Sequence, residues 1–350
     1  TPLYSSAASD VYKRQGIFFI GYFLFEIPSN IILHKVGARV WIARIMITWG
    51  IISACMMFVT SVHMFYFLRF LLGAAEAGFF PGIILYLTYW YPAARRGRIT
   101  TFFMTAVPMS GLIGGPISGW IMSTFHGDHG LSGWQWLFLL EGIPSVIIGV
   151  LVLIYLDDRI NKAKWLTANE KAVLIRNIAA EEQNKEDPPI RAALTRPRVW
   201  AMALIYFSFV MGLYGVGFWM PTLIKSTGVQ STLAIGLLTA VPNLFAVIGM
   251  ILIARNSDRN RERRWHVAIP ALFGALGLLF SAIWSGNTVL AILALTVANI
   301  GICTVLPLFW SLPTALLGGT AAAAGIALIN SVGNLCLLYT SPSPRDQRGS

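Results

Sequence analysis

Residues 64–92 read MFYFLRFLLGAAEAGFFPGIILYLTYWYP, and only two of them, Arg69 and Glu76, carry a charge. A helix of about 20 apolar residues is long enough to cross the hydrocarbon core of a bilayer. The stretch therefore predicts a membrane-spanning helix that holds two charged side chains.

Further apolar stretches of similar length repeat along the chain. Of its 350 residues, 56% are apolar and 12% are charged, whereas soluble domains carry about 25% charged residues. A soluble protein cannot hide so much apolar surface, which excludes a soluble enzyme. We predict an all-α membrane protein with ten spans, at 16–33, 40–60, 64–92, 99–123, 134–156, 199–224, 232–254, 265–285, 288–310 and 314–335.

Basic residues are concentrated in alternate loops between these spans. Outside the two chain ends, 20 of the 22 Lys and Arg residues lie in or beside loops on one side of the predicted membrane. An excess of Lys and Arg marks cytoplasmic loops, so this side is predicted to be cytoplasmic. Topology therefore accounts for the net charge of +11, and we expect a lipid bilayer rather than nucleic acid as the partner of the basic residues.

The order of the spans predicts two pseudo-symmetric halves, 16–156 and 199–335, joined by a cytoplasmic loop at 157–198. Residues 1–15 and 336–350 are polar and resemble translated adapter sequence, so we exclude these ends from the fold prediction. The first span then begins outside and the last ends outside. One more helix at each end would place both termini in the cytoplasm, so we expect this fragment to hold helices 2–6 and 7–11 of twelve.

The central loop contains one predicted soluble helix. Thr167-Ala-Asn-Glu170 has the pattern of a capping box, in which the Thr and Glu side chains satisfy free amide groups at a helix start. We assign this helix no chemistry.

Charges inside the spans are the most informative feature, because a central Arg or Asp costs roughly 2.5–3.5 kcal/mol. Arg69 and Glu76 are seven residues apart, which places them on one helix face about 10 Å apart along the axis. Arg binds a carboxylate through two hydrogen bonds, and a carboxyl group removed from water exchanges protons nearer neutrality. The pair predicts transport of an anion with a proton. The alternative is that Arg69 reaches the outer surface and Glu76 bonds a neighbouring helix.

Two further acids lie inside spans. Glu26 is predicted to pair with a basic loop residue, and Glu141 to hydrogen-bond a neighbouring helix. Within any one face of the predicted spans, the sequence shows no Ser-His-Asp, zinc-type or paired-carboxylate constellation. The outer-loop segment His126-Gly-Asp128-His129 is predicted to be solvated. We therefore predict no enzyme activity, no metal and no cofactor other than a proton gradient.

Six motifs are spread over the chain: Gly21-Tyr22-Phe-Leu-Phe-Glu26-Ile-Pro28, Val36-Gly37-Ala38-Arg39, the run from Arg69 to Gly82, Phe218-Trp219-Met-Pro221-Thr222, Ser257-Asp258-Arg259 with Arg263-Arg264-Trp265-His266, and Ala327-Leu-Ile-Asn330-Ser. Together they resemble the anion:cation symporter family of the major facilitator superfamily, which includes permeases for tartrate, phthalate, hexuronates and galactonate. The resemblance covers the whole stretch between the excluded ends.

The resemblance implies a major facilitator fold, with two six-helix halves around a central cavity that opens to either side in turn. It implies proton-coupled uptake of an organic anion. We expect the protein to be a monomer. Arg69 matches a residue that supports anion binding, and Glu76 matches one that takes part in proton coupling. Tyr22, Trp310 and Asn330 match residues that contact substrate.

The resemblance also assigns a conformational gate to two loops. Gly37 and Arg39 match its first copy, and Asp258 and Arg259 match its repeat. His34 occupies the usual acidic position of the first copy, so we expect that copy of the gate to be weaker or differently paired.

The predicted function is secondary active transport of a sugar acid, a tartrate-like acid or an aromatic carboxylate across the inner membrane. Two alternatives share the fold. One is an efflux pump, because the run Gly111–Gly119 faintly resembles the exporter motif of the superfamily, and the other is a uniporter. A third is a membrane anion sensor that signals through loop 157–198 without transport. The sequence leaves the substrate and the direction of transport open.

Overall fold

The computed structural model describes residues 2–182, 189–229, 232–260 and 262–336, with side chains described from residue 17 onward apart from a few helical positions. Regular structure in this part of the chain is entirely helical, in agreement with the predicted fold class. The helices are α1 (Pro2–Val36), α2 (Ala38–Cys55), α3 (Val62–Glu76), α4 (Phe79–Trp90), α5 (Ala93–Met104), α6 (Ala106–Thr124), α7 (Gly133–Tyr155), α8 (Ala168–Glu182), α9 (Ile190–Thr195), α10 (Pro197–Ser226), α11 (Thr232–Asn260), α12 (Arg264–Ile283), α13 (Thr288–Phe309), α14 (Ser311–Leu316) and α15 (Gly319–Asn334).

Eight segments of the described chain are long and apolar enough to cross a membrane: Ile17–Val36, Ala38–Phe58, Val62–Trp90, Gly133–Tyr155, Pro197–Gly217, Ala234–Asn260, Arg264–Ile283 and Thr288–Leu316. They correspond to eight of the ten predicted spans. Predicted span 99–123 is divided between α5 and α6 at Thr105, and predicted span 314–335 contains the 16-residue helix α15. The first of these spans is therefore interrupted, and the second holds a helix shorter than the roughly 20 residues that cross a bilayer.

The predicted adapter-derived ends remain a prediction. Residues 337–350 lie outside the part of the chain that the structure describes, and so do the side chains of residues 1–16. The backbone of α1 begins at Pro2, within the first of these ends.

Contacts divide the chain into two compact units. The first unit groups Thr1–Trp90, Ile117–Leu204 and Leu317–Ser350, and the second groups Tyr91–Pro116 and Ile205–Leu316. The predicted halves 16–156 and 199–335 concern an internal symmetry that this grouping does not test, so they stay a prediction.

In the first unit, α1 and α3 approach closely because each places a glycine at their contact. A Cβ on Gly73 would lie 2.0 Å from the carbonyl oxygen of Phe18, and one on Gly21 would lie 2.5 Å from that of Phe70. Small residues allow the backbones of membrane helices to come together. The contact lays the charged stretch of α3 directly against α1.

In the second unit, α13 is the most buried helix, and its side chains from Gly301 to Phe309 are all buried. Helix α12 packs closely on it, since a Cβ on Gly277 would lie 2.5 Å from the backbone nitrogen of Ala298. Tyr206 of α10 stacks on the Phe309 ring, with ring centroids 5.2 Å apart. The second unit is therefore organised around an apolar and aromatic core.

The predicted capping box at the start of α8 is confirmed. The backbone nitrogen of Thr167 donates to a Glu170 carboxylate oxygen at 2.9 Å, and the Thr167 hydroxyl bonds the same oxygen at 2.7 Å. The backbone nitrogen of Glu170 donates in return to the Thr167 hydroxyl at 3.4 Å. These backbone and side-chain hydrogen bonds hold the pKa of Glu170 below its usual value.

Candidate functional site

The predicted pair Arg69 and Glu76 lies on one continuous helix, as the sequence indicates. Helix α3 starts behind Ser61, whose hydroxyl accepts a hydrogen bond from the backbone nitrogen of Met64 at 3.2 Å. A side chain at this position satisfies one of the free amide groups of a helix start. The seven-residue spacing of the pair therefore corresponds to almost two regular turns.

Arg69 carries a charge without an acidic partner among the described residues. Its guanidinium lies over the Phe65 ring, 5.2 Å from the ring centroid. Its Nε atom is buried and has no hydrogen-bond partner in the described part of the chain. A cation over an aromatic face gains about 0.5–2 kcal/mol and keeps its hydrogen-bonding groups available. Arg69 is thus held in place with donors left over for a ligand.

Glu76 is the last residue of α3, because the helix breaks directly after it. Ala77 is extended at ψ 126°, and Gly78 has φ +86°, a conformation that L side chains rarely adopt. A Cβ on Gly78 would lie 2.4 Å from the hydroxyl oxygen of Ser29, so glycine is also required by space. The single predicted helix over 64–92 is wrong in this respect: it consists of α3 and α4.

The break places the Glu76 carboxylate at a bend of the span. Its side chain is partly buried, and no described residue donates a hydrogen bond to it. Together with Arg69, it forms what we call the open pair, a cation and an acid on one helix whose polar groups the fold leaves uncommitted.

Tyr22, Glu26, Asn330 and Ser331 form a second group, which we call the Glu26 cluster. Asn330 Nδ2 donates to the Tyr22 hydroxyl at 3.2 Å and to one Glu26 carboxylate oxygen. The Ser331 hydroxyl bonds the other Glu26 oxygen. Tyr22 is 8% exposed, and the other three side chains are 2% exposed or less. The cluster therefore joins α1 to α15 through buried polar groups.

The structure brings together two of the predicted substrate contacts, Tyr22 and Asn330, but corrects the prediction for Glu26. The bonding partners of Glu26 are Asn330 and Ser331, and no basic loop residue pairs with it among the described residues. Glu26 lies four residues after Tyr22, and this spacing places both on one helix face. That signal, together with the adjacent polar residues at 330 and 331, was available in the sequence.

Trp310 is not part of the Glu26 cluster. It belongs to the second unit, where its fully buried ring packs edge-on against Tyr206 at 4.7 Å between ring centroids. Its assignment as a substrate contact stays a prediction. The prediction for Glu141 is confirmed, since Ser118 of α6 donates to its carboxylate at 2.7 Å.

The first copy of the predicted gate is built around a residue that sequence reasoning missed. Gly37 separates α1 from α2 with φ +109°, and the Arg39 backbone nitrogen donates to the Asp158 carboxylate at 2.9 Å. Asp158 follows α7, so it caps the start of α2 from a distant part of the chain. His34, in the usual acidic position, bonds the Tyr89 hydroxyl at 2.7 Å instead. His34 therefore has a hydroxyl partner in place of a basic one, and the role of this copy as a gate stays a prediction.

The repeat of the gate is centred on an ion pair between Asp258 and Arg263. Glu262 receives a hydrogen bond from the backbone nitrogen of Trp265 at 2.9 Å, which holds the pKa of Glu262 below its usual value. Arg259 is exposed and lines a groove of about 1010 Å³ within the second unit. Three more arginines line the same groove: Arg95, Arg98 and Arg255.

Comparisons with known proteins agree with this architecture. The family described as Major Facilitator Superfamily matches residues 15–339 of the chain. A putative tartrate transporter of Agrobacterium vitis is 55% identical over 322 residues, which cover 91% of this chain and 74% of that protein. The putative metabolite transport protein NicT of Pseudomonas putida is 52% identical over 328 residues, which cover 93% of this chain and 75% of that protein.

A solved structure of the proton:xylose symporter XylE, bound to 6-bromo-6-deoxy-D-glucose, has a similar fold. The TM-score is 0.75, and the match covers 96% of this chain and 78% of that chain at 17% sequence identity. At this identity the likeness extends to the fold alone.

Proposed function

The chain belongs to the major facilitator superfamily, and we propose that it takes up a small organic anion together with a proton. As a member of a family of transporters, it is a multi-pass membrane protein rather than an enzyme. The finer proposal rests on one observation, the open pair of α3, in which a cation and an acid share one helix and neither is committed to a described partner.

Arg69 supplies the anion site in this proposal. A guanidinium presents several donors in one plane and binds a carboxylate through two parallel hydrogen bonds. Phe65 supports the cation without consuming its donors. A carboxylate substrate would therefore replace water at Arg69 with little rearrangement of the protein. Tyr22, Asn330 and Trp310 are the proposed further contacts with the substrate.

Glu76 supplies the proton site. A proton from outside neutralises the Glu76 carboxylate, and a carboxylate of the substrate then offsets the charge of Arg69. The two groups and the bound carboxylate together carry no net charge. Charge in the membrane interior is expensive, so paired and neutralised groups favour the reorientation that exposes the site to the cytoplasm. There the anion and the proton leave to water.

The relatives narrow the proposed substrate class. A relative at 55% identity is named a putative tartrate transporter, and another at 52% a putative metabolite transport protein. Both names fit a small polar acid, and the open pair fits the charge of such an acid. We propose uptake across a bacterial inner membrane, with the basic loops in the cytoplasm.

The test is uptake of labelled organic acids by the protein in liposomes, measured with an inward proton gradient and without it. Accumulation of one acid above equilibrium only with the gradient is the expected result. Equilibration regardless of the gradient would contradict proton coupling and indicate a uniporter. Net export under the same gradient would indicate an efflux pump, and binding without flux would indicate a sensor.

A further inference from the structure

We infer that Glu26 is a second proton-binding site, separate from Glu76, and that its proton stabilises the packing of α15 against α1. The inference about the proton stands on the geometry of the Glu26 cluster. Its consequence for transport rests on the proposed function.

The Glu26 carboxyl group is buried. Glu26 is completely inaccessible to solvent. Removal of a lone carboxylate from water is so costly that such groups are either paired with a cation or neutralised by a proton. The question is therefore which groups face Glu26.

No cation faces it among the described residues. On α15 the contacts are the uncharged Asn330 and Ser331, and on α1 the nearest titratable group is Tyr22. On α3, the titratable group that interacts electrostatically with Glu26 is Glu76, which is also an acid. The neighbouring helices hold their charged and titratable groups in other contacts. Arg44 of α2 lies over the Trp41 ring, and Arg69 of α3 lies over the Phe65 ring. On α4, Tyr89 bonds His34 and Tyr86 bonds the carbonyl oxygen of Asp157.

The hydrogen bonds of Glu26 are compatible with a protonated carboxyl group. A protonated carboxyl group has one donor and retains acceptor capacity. One Glu26 oxygen accepts from Asn330. The other oxygen is bonded to the Ser331 hydroxyl, which donates to it when it is ionised and accepts from it when it carries the proton. The protonated form satisfies both oxygens and leaves no net charge. Two acids close together also cannot both ionise at low cost, which favours the same proton.

Loss of the Glu26 proton would weaken the contact between α15 and α1. An ionised Glu26 would seek water, and water reaches it only if α15 moves away from α1. The proton that leaves passes to that water. Protonation of Glu26 and contact between α1 and α15 are therefore two sides of one equilibrium. Glu76 differs, because it is partly exposed and has no described hydrogen bond to break.

Infrared difference spectra of the protein in lipid, recorded between acidic and alkaline pH, test the proton directly and require no substrate. We expect a carboxylic acid C=O band in the wild type at neutral pH that disappears in Glu26→Gln and persists in Glu76→Gln. Glu141→Gln is the matched control, since it removes an intramembrane acid outside the cluster. A Glu26→Gln spectrum identical to that of the wild type overturns the inference, even if proton-coupled uptake is established.

Hydrogen exchange of the α15 amides, followed by mass spectrometry, tests the link to packing. Glutamine has the shape of a protonated glutamate, so Glu26→Gln is expected to fold. The ratio of wild-type to Glu26→Gln exchange in α15 should rise several-fold with pH, while the same ratio for α12 stays constant. A ratio for α15 that does not change with pH contradicts the link.

If Glu26→Gln does not fold, Ser331→Ala serves as the second variant. It removes the acceptor of the proposed proton, so the C=O band of Glu26 should shift in frequency. An unshifted band contradicts the assignment.

Discussion

The open pair on α3 and the Glu26 cluster lie against the same α1–α3 contact, yet they treat buried polar groups in opposite ways. Arg69 and Glu76 are held by packing, and their polar atoms lack described partners. Glu26 has both carboxylate oxygens bonded to neighbouring side chains. The comparison separates two roles in this protein: ionisable groups with unused hydrogen-bonding capacity are candidates for substrate binding, whereas the fully bonded Glu26 serves helix packing.

The largest expected effect comes from removing the cation of the open pair. Arg69→Gln deletes the proposed bidentate anion contact, and hydrogen bonds to charged groups contribute about 1.5–3 kcal/mol each. We expect substrate affinity to fall at least ~100-fold, measured by calorimetry on the purified protein. Arg69→Lys should recover part of the loss. Lys225→Gln, which removes a cation near the end of α10, is the control, and equal affinity in Arg69→Gln and this control would show that Arg69 binds no anion.

The next effect concerns the contact between α1 and α3, which holds the open pair beside the Glu26 cluster. Gly73→Ala would place a methyl group 2.0 Å from the Phe18 carbonyl oxygen, so α3 must move from α1. Overpacking of this kind costs about 1–3 kcal/mol. We expect a lower melting temperature in detergent together with weaker uptake. Gly114→Ala, where a Cβ meets nothing within 4 Å, should leave both unchanged, and a stable Gly73→Ala protein would argue against close α1–α3 contact.

A smaller effect is expected at the acid of the open pair. Glu76→Gln cannot release a proton but retains its shape, so it should lose gradient-driven accumulation and keep exchange of internal for external substrate. One proton moving down a gradient of one pH unit supplies about 1.4 kcal/mol, or tenfold accumulation. That factor should fall to unity in Glu76→Gln. Wild-type accumulation in this variant would refute the coupling role, and Glu141→Gln provides the comparison.

The smallest effect is expected inside the Glu26 cluster. Ser331→Ala removes one neutral hydrogen bond from a buried carboxyl group, a change worth about 1 kcal/mol of stability. Thermal unfolding should reveal this loss, while substrate affinity stays within about twofold. A drop in affinity as large as that of Arg69→Gln would show that the Ser331–Glu26 bond contributes to the anion site as much as Arg69 does, and would remove the distinction drawn above.

The sequence predicts much of the architecture because its signals are local. Apolar length predicts most spans, the Thr167–Glu170 pattern predicts the start of α8, and the spacing of Arg69 and Glu76 predicts a shared face. The break after Glu76 was missed. Gly78 adopts a positive φ there and fits closely against Ser29 of another helix. Local pattern carries no information about such a neighbour.

The missed site residues have the same explanation. Glu26 meets Asn330 across 304 positions, and Asp158 reaches Arg39 across 119. The family resemblance identifies Tyr22 and Asn330 as separate substrate contacts. It does not reveal that Asn330 is also bonded to Glu26. Whether a buried acid is bonded by other side chains or left without a partner depends on which distant helix packs against it. Only the folded structure identifies that helix.

The separation between Glu26 and Asn330 also has a consequence for how the chain is made. A ribosome adds about 5–20 residues per second, so roughly 15–60 s pass between synthesis of the acid and synthesis of its amide partner. During that interval α1 resides in the translocation machinery or the bilayer with its carboxyl group uncapped. Completion of the Glu26 cluster is therefore a late step of biogenesis, and chains that stall before residue 330 present an unfinished polar surface by which quality-control proteases could recognise them.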